Sequence, residues 1–266
     1  MVAVALTIAG SDPSGGAGIQ ADIKTFHQHG CYGCAVITLL TVQNTLGLGR
    51  VEVLAADLVA DQLRAVLEDI APRAAKTGAL GSAAVAEAVT DVLLGHPLPL
   101  VVDPVLTSKK GAILADDSAL RSLRQCLLPR ATLVTPNLDE AEALSGRPAR
   151  DRKSVRDAAR AIADLGSEAV LVKGGHLAGD AVDTLYWKEE FFELSTSRID
   201  SRHTHGVGCS LSAAITAGLA RGHDLIAAVT RAKSWINRAI ASAPGVGKGI
   251  CAVDHHAMVQ GVEEEA

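Results

Sequence analysis

The sequence predicts a three-layer α/β/α domain with a mostly parallel central sheet. Three observations carry that prediction. Short runs rich in β-branched and aliphatic residues alternate with alanine-rich amphipathic segments along the chain. Several of these runs are apolar throughout rather than alternating, as expected of strands covered on both faces. Strand–helix alternation then implies right-handed crossovers that place helices on both sides of the sheet. The chain has 266 residues, 48% of them hydrophobic, enough for a substantial core. No Pro- or Ser-rich linker, repeat or low-complexity segment divides it, so residues 1–266 are read as one domain.

The elements follow in order. Strands are expected at Val4–Ile8, Ala35–Thr41, Ala74–Thr77, Leu100–Asp103, Leu133–Thr135 and Ala169–Lys173. Helices are expected at Gly16–His29, Ala56–Asp69, Ala83–Leu94, Asp117–Leu127, Leu138–Ser145, Val155–Leu165, Gly208–Arg221 and Asp224–Ala243. Ala181–Trp187 and Phe191–Ser197 flank Lys188-Glu189-Glu190 and read as a small antiparallel hairpin at the sheet edge.

Composition narrows the function classes. The formal net charge is -5, no basic run occurs and aromatic residues make up only 3%, so nucleic acid is not an expected partner. Met1–Gly10 is apolar but too short to span a membrane and lacks the features of a signal peptide. The expectation is a cytoplasmic protein with no membrane partner. Five cysteines do not suggest a disulfide framework. Cys31-Tyr-Gly-Cys34 has C-x-x-C spacing without a second pair, and reads as part of a helix-to-strand turn. His255-His256 reads as a surface feature.

The most informative stretch is His205–Gly218. Gly206 and Gly208 let backbone N–H groups converge at the start of a small-residue helix, where the dipole favours anions. Cys209 stands at that electropositive end, which predicts a lowered thiol pKa and chemistry on a phosphate or another developing oxyanion. A tight turn with a small buried cysteine is the plainer reading of the same residues.

Ligands of open α/β sheets gather beyond the carboxyl ends of the strands. Those ends carry Gly10-Ser11-Asp12, Gln43-Asn44, Lys76-Thr77-Gly78, Asp103-Pro104, Thr135-Pro136-Asn137 and Lys173-Gly174-Gly175, a polar rim. Gly16-x-Gly18-x-x-Ala21 fits a dinucleotide fingerprint, but the second strand ends in Gln43 rather than a ribose-binding acid. Gly245-Val-Gly247-Lys248 lacks the rest of a P-loop. Asn137-Leu-Asp-Glu140 places Glu140 in the first turn of a helix, either as a helix-start acid or, with Asp103, as a magnesium site beside nucleotide phosphates. Lys173 either contacts a phosphate or is a solvated strand-end lysine.

Ala9–Phe26 closely resembles the opening of the hydroxymethylpyrimidine/phosphomethylpyrimidine kinases of thiamine biosynthesis, members of the ribokinase-like fold. Further matches are Val42-Gln-Asn-Thr45, Lys76-Thr-Gly-Ala-Leu-Gly81, Val101-Val-Asp-Pro-Val105, Thr135-Pro-Asn137, Val172-Lys-Gly-Gly-His-Leu177 and Thr204-His-Gly-Val-Gly-Cys209. They run in family order over nearly the whole chain. The resemblance implies phosphoryl transfer from ATP, with Mg2+, to 4-amino-5-hydroxymethyl-2-methylpyrimidine and then to its monophosphate, by a homodimer.

By the same resemblance, Gln43 bonds the aminopyrimidine, and Gly10, Asp22, Leu80 and Val105 surround it. Cys209 occupies the position of an aspartate base in sugar-kinase relatives. Lys173 and Lys233 match phosphate-contacting lysines, and Glu140 matches the magnesium-associated acid. The sequence departs from the family pattern at Val207 (usually Thr), at Leu80 (commonly Met) and in Leu106–Gly111, where Lys109-Lys110 adds a lysine to a flap. A pyridoxine/pyridoxal kinase of the same fold is the alternative, since its substrate is also a flat heteroaromatic ring with a hydroxymethyl group. A non-catalytic binding protein is disfavoured by the intact Cys209, Glu140, Lys173 and anion-hole glycines.

Overall fold

Nine strands form one sheet in a computed structural model that describes residues 2–107, 114, 116–175 and 181–259. In chain order the strands are β1 (Ala3–Ser11), β2 (Cys31–Asn44), β3 (Gly47–Val53), β4 (Ala74–Thr77), β5 (Leu100–Val102), β6 (Leu133–Val134), β7 (Ala169–Val172), β8 (Ala181–Trp187) and β9 (Glu190–Thr196). Their order across the sheet is β3-β2-β1-β4-β5-β6-β7-β8-β9. The six strands from β2 to β7 in that order pair in parallel. The expected hairpin β8–β9 closes one edge antiparallel to β7.

The other edge differs from the expectation. The second strand runs 14 residues, from Cys31 to Asn44, and turns directly into antiparallel β3. The turn is set by Asn44, whose Oδ1 accepts from the N–H groups of Leu46 (2.8 Å) and Gly47 (3.2 Å). Both cysteines of the C-x-x-C lie inside β2 rather than in a turn. Three residues apart on a strand, they face opposite sides, and Cys31 and Cys34 belong to different core clusters.

Helices α1 (Gly18–Gln28), α2 (Ala56–Asp69), α3 (Ala83–Leu93), α4 (Asp117–Ser122), α5 (Leu138–Ser145), α6 (Arg152–Ala163), α7 (Val207–Ala220) and α8 (Leu225–Ala241) cover the two faces. The helix expected over Asp117–Leu127 is α-helical only to Ser122. It continues as one wide π turn over Leu123–Leu127 and a tight turn over Leu128–Arg130. Alternating strand residues divide the core. Leu6, Ile8, Val102 and Val170 pack against α2, α3, α5 and α6, while Val101, Leu133 and Leu171 pack against α7 and α8.

Small residues decide how closely α7 approaches the sheet. Its Ala213 and Ala217 meet Ala3, Ala5 and Ala74 of the strands beneath, with Phe26 of α1 beside them. Ten of its fourteen residues are buried. This close seat carries the start of α7 to the carboxyl ends of β1, β4 and β5, where the polar rim stands.

Candidate active site

The starts of α7 and α1 each rest on a glycine that tolerates no side chain. Gly206 caps α7 in the left-handed conformation (φ 74°), and a Cβ there would overlap the Gly16 carbonyl. Gly18, also left-handed (φ 57°), is pressed against the Gly10 carbonyl in the same way. The first intrahelical bond runs from Ser210 N–H to the Gly206 carbonyl (2.8 Å). The N–H groups of Val207, Gly208 and Cys209 therefore precede the ladder and sit at the positive end of the helix. Val207 leaves this geometry intact, since it depends on backbone groups. His255, expected at the surface, is buried beneath this helix start, with Nε2 3.1 Å from the Ser210 hydroxyl.

Asp103, Glu140 and Lys173 converge on that helix end. A Cβ at Gly208 would lie 3.2 Å from the Lys173 ammonium and 3.8 Å from Asp103 Oδ2. Lys173 donates to Asp103 Oδ1 (3.0 Å) and stands 4.0 Å from Glu140 Oε2. Asp103 also accepts from Thr135 (3.2 Å) and Ser212 (3.4 Å). Burial favours the neutral amine of Lys173, but the two carboxylates outweigh it and hold the ammonium charged. Burial pushes Glu140 up to about 7, with Lys173 pulling back. Glu140 is a helix-start acid as well: its Oε2 accepts from Asn137 N–H (2.8 Å), while Asn137 Oδ1 accepts from Glu140 N–H (2.9 Å), a reciprocal cap. Among the described residues, no three His, Cys, Asp or Glu side chains cluster as a metal-ligand set.

The structure reverses one sequence expectation and gives two other expected site residues buried partners. The thiol of Cys209 is raised to about 11 rather than lowered. Burial and the carboxylates of Asp103 and Asp22 outweigh the Lys76 charge and the Gly18 amide, which favour the thiolate. Asp22, expected on the pocket wall, is fully enclosed. Its Oδ2 accepts from the Thr7 hydroxyl (2.6 Å), and both oxygens accept from the equally buried Lys76 ammonium (2.9 Å each). Lys233, expected on a phosphate, is buried on α8 and donates to Asp183 Oδ2 (2.7 Å). Asp183 Oδ1 in turn accepts from Gly174 N–H (3.0 Å), so the pair steadies the loop after Lys173.

The residues expected around the substrate lie at the neighbouring strand ends. Leu80 and Val105 line a shallow cleft with Gly78, Gly81, Pro104 and Leu106. Gly10 is buried at the end of β1. Gln43 is half-buried at the end of β2, with Nε2 3.1 Å from His205 Nε2. The same His205 nitrogen lies 2.8 Å from Asp12 Oδ2. Burial acts against the Asp12 charge, but bonds from His205 and Ser14 win and hold its carboxyl below the usual range. Lys109-Lys110 and His176-Leu177 fall outside the described residues.

The sequence placed Asp12 and Lys76 on the polar rim and His205 at the head of the glycine turn, but gave none of the three a role. A signal for Lys76 was present: a lone cation in the all-apolar run Ala74–Thr77 needs a buried partner. The Gly245–Gly249 segment, which is not a P-loop, uses its glycines for close approach to the β2–β3 turn. Gly249 N–H donates to Thr45 Oγ1 (3.1 Å) and Ile250 N–H to the Thr45 carbonyl (3.0 Å).

A family model described as phosphomethylpyrimidine kinase matches residues 12–254. A Streptomyces coelicolor protein named hydroxymethylpyrimidine/phosphomethylpyrimidine kinase is 47% identical over 250 residues, covering 94% of this chain and 93% of that protein. Among solved structures, an ADP complex of Bacillus subtilis pyridoxal kinase superposes with a TM-score of 0.90 at 36% identity, covering 97% of this chain and 98% of the other. A phosphomethylpyrimidine kinase from Clostridium difficile gives a TM-score of 0.80 at 42% identity, over 90% and 99% of the two chains.

Proposed function

This chain belongs to the phosphomethylpyrimidine kinase family, and from that premise we infer that it transfers the ATP γ-phosphoryl group to 4-amino-5-hydroxymethyl-2-methylpyrimidine and then to its monophosphate. The observation that supports this most is the meeting of the α7 start, Lys173 and Asp103 at one strand-end site. Phosphoryl transfer is mostly positioning and charge neutralisation, and this site offers both. The backbone N–H groups of Val207, Gly208 and Cys209 face the transferring phosphoryl, with the Lys173 ammonium beside them. Cys209 stands nearest the acceptor hydroxymethyl group, and Gln43, Leu80 and Val105 hold the ring. Asp22 and Lys233 act at one remove: Asp22 fixes the Lys76 ammonium, and Lys233 fixes Asp183 and the Gly174 turn.

Asp103 and Glu140 are hard-oxygen donors of the kind magnesium takes. Lys173 stands between them, however, so they suit an ion held through water and nucleotide phosphates rather than a closed protein cage. When bound there, the ion neutralises charge on the phosphate oxygens. Glu140→Gln keeps an oxygen able to accept from Asn137 N–H, so the cap and the fold should survive. The variant is expected to need several-fold more magnesium for half-maximal rate, with a lower kcat. Unchanged magnesium titration curves would leave Glu140 as a helix cap alone.

A pyridoxal kinase is the second reading, favoured by the close superposition on the Bacillus subtilis enzyme. Coupled assays with the pyrimidine alcohol, its monophosphate and pyridoxal separate the two. The pyrimidines should show the higher kcat/KM, and Gln43→Ala should lower it about 10- to 100-fold by leaving a buried partner unpaired. A tenfold preference of the wild type for pyridoxal would overturn the assignment.

A further inference from the structure

We propose that Asp12 and His205 lock the Gln43 side-chain amide with its oxygen toward His205 and its NH2 toward the substrate. Gln43 then recognises a hydrogen-bond acceptor on the substrate ring, and His205 is a positioning residue. The inference deepens the reading of Gln43 as a substrate contact and rests on it.

One ring nitrogen decides the orientation. His205 Nε2 lies within bonding distance of both Asp12 Oδ2 (2.8 Å) and the Gln43 amide (3.1 Å). A ring nitrogen carries either one hydrogen or one lone pair, so it cannot accept from one neighbour while donating to the other. Asp12 decides the matter. Its oxygens also accept from Ser14 N–H (2.9 Å), the Ser14 hydroxyl (2.7 Å) and Ala17 N–H (3.0 Å), so it is an acceptor throughout. Nε2 must therefore carry the hydrogen. The Gln43 group beside it must then be Oε1, since an NH2 there would set donor against donor. The oxygen and nitrogen of an amide are interchangeable in shape, so turning the group over costs no packing.

The ring of His205 has no freedom to relieve the constraint. Its backbone N–H donates to the Cys251 carbonyl (3.1 Å), and the ring packs so closely on Gly16 that a Cβ there would strike it. Asp12 is tied to α1 through its own N–H, which donates to Gln20 Oε1 (2.9 Å). The relay thus joins the first strand–helix turn, the end of β2 and the turn into α7. It makes the polarity of Gln43 a property of three separate segments.

Two measurements test the proposal. The first is 15N NMR of the His205 ring at neutral pH in the full chain, assigned with a His205→Gln variant. Nε2 is expected to carry a hydrogen. A bare Nε2 in the wild type would overturn the proposal whatever the substrate is. The second compares kcat/KM for the pyrimidine alcohol with that for its two pyridine analogues, each lacking one ring nitrogen. The wild type should lose about 10- to 100-fold on one analogue, mainly through KM.

Asp12→Asn sets its NH2 against a backbone N–H in either orientation, Ala17 at the Oδ2 position or Ser14 at the Oδ1 position, so it no longer fixes the hydrogen on His205 Nε2 and Gln43 is free to turn over. It should discriminate between the same substrates by less than about threefold. A merely structural role would lower activity on every substrate alike, so equal discrimination by wild type and Asp12→Asn would sink the idea. A wild type that prefers pyridoxal overturns the substrate assignment instead, and the His205 spectrum then decides the amide orientation by itself.

Discussion

Cys209→Ala is expected to lower kcat by a factor on the order of 10²–10⁴, the range for a positioned proton-transfer group. That loss corresponds to about 3–5 kcal/mol of transition-state stabilisation. KM for ATP and for the pyrimidine should move little, because the residue acts on the acceptor hydroxyl and not on the bulk of either substrate. The raised thiol sharpens the expectation. With its pKa pushed to about 11 by burial, Cys209 is protonated throughout the neutral range, and its ionised fraction grows tenfold per pH unit. If the thiolate takes the acceptor proton, single-turnover rates should climb with a slope near one between pH 7 and 9. A flat profile with a large Cys209→Ala loss would instead make the thiol a positioner of the hydroxyl. Cys209→Ser distinguishes these further, since it keeps a hydroxyl able to position but is a far poorer source of anion. Near-normal chemistry in Cys209→Ala would remove the residue from the mechanism and leave catalysis to the amides and cations.

Lys76→Met is expected to cost about 3–5 kcal/mol of folding stability, a large share of the roughly 5–15 kcal/mol that holds a domain together. Lys76 and Asp22 are both completely enclosed, and the ammonium contacts both carboxylate oxygens at 2.9 Å. Removing the cation leaves a buried carboxylate with only the Thr7 hydroxyl. Burial already pushes Asp22 up, so in the variant it should fold protonated. Stability would then fall further as pH rises and ionisation of the unfolded chain competes. The double variant Asp22→Leu with Lys76→Met should recover much of the loss, because a matched apolar pair leaves no unpaired charge. Urea midpoints of the three proteins decide it. A loss below about 1 kcal/mol in Lys76→Met would mean that water or a rearranged partner reaches Asp22.

Parallel-strand segments, helix starts and the edge hairpin were legible because each is a local pattern. Ala56–Asp69 and Leu138–Ser145 were bounded to the residue, and apolar runs such as Leu100–Val102 announced strands covered on both faces. The turn into α7 was legible for the same reason: a glycine at the helix start, Gly206, sets the left-handed backbone within a few residues. Strand β3 was missed because its alternation is weak, and its pairing depends on Asn44 turning the chain back. The wide turn at Leu123–Leu127 breaks no sequence rule; only the packing around it selects that geometry.

The sequence by itself determined the fold class, the order of the elements and the rim of polar strand ends, since propensity and periodicity act between near neighbours. The tertiary structure alone decided the partners: Asp22 with Lys76, Asp183 with Lys233, and Asp12 with His205 and Gln43. These pairs join residues 50 to 193 positions apart. It also reversed the expected direction for Cys209. A helix start favours a thiolate in any sequence, but the cost of desolvating that charge is set by what the rest of the chain packs around it.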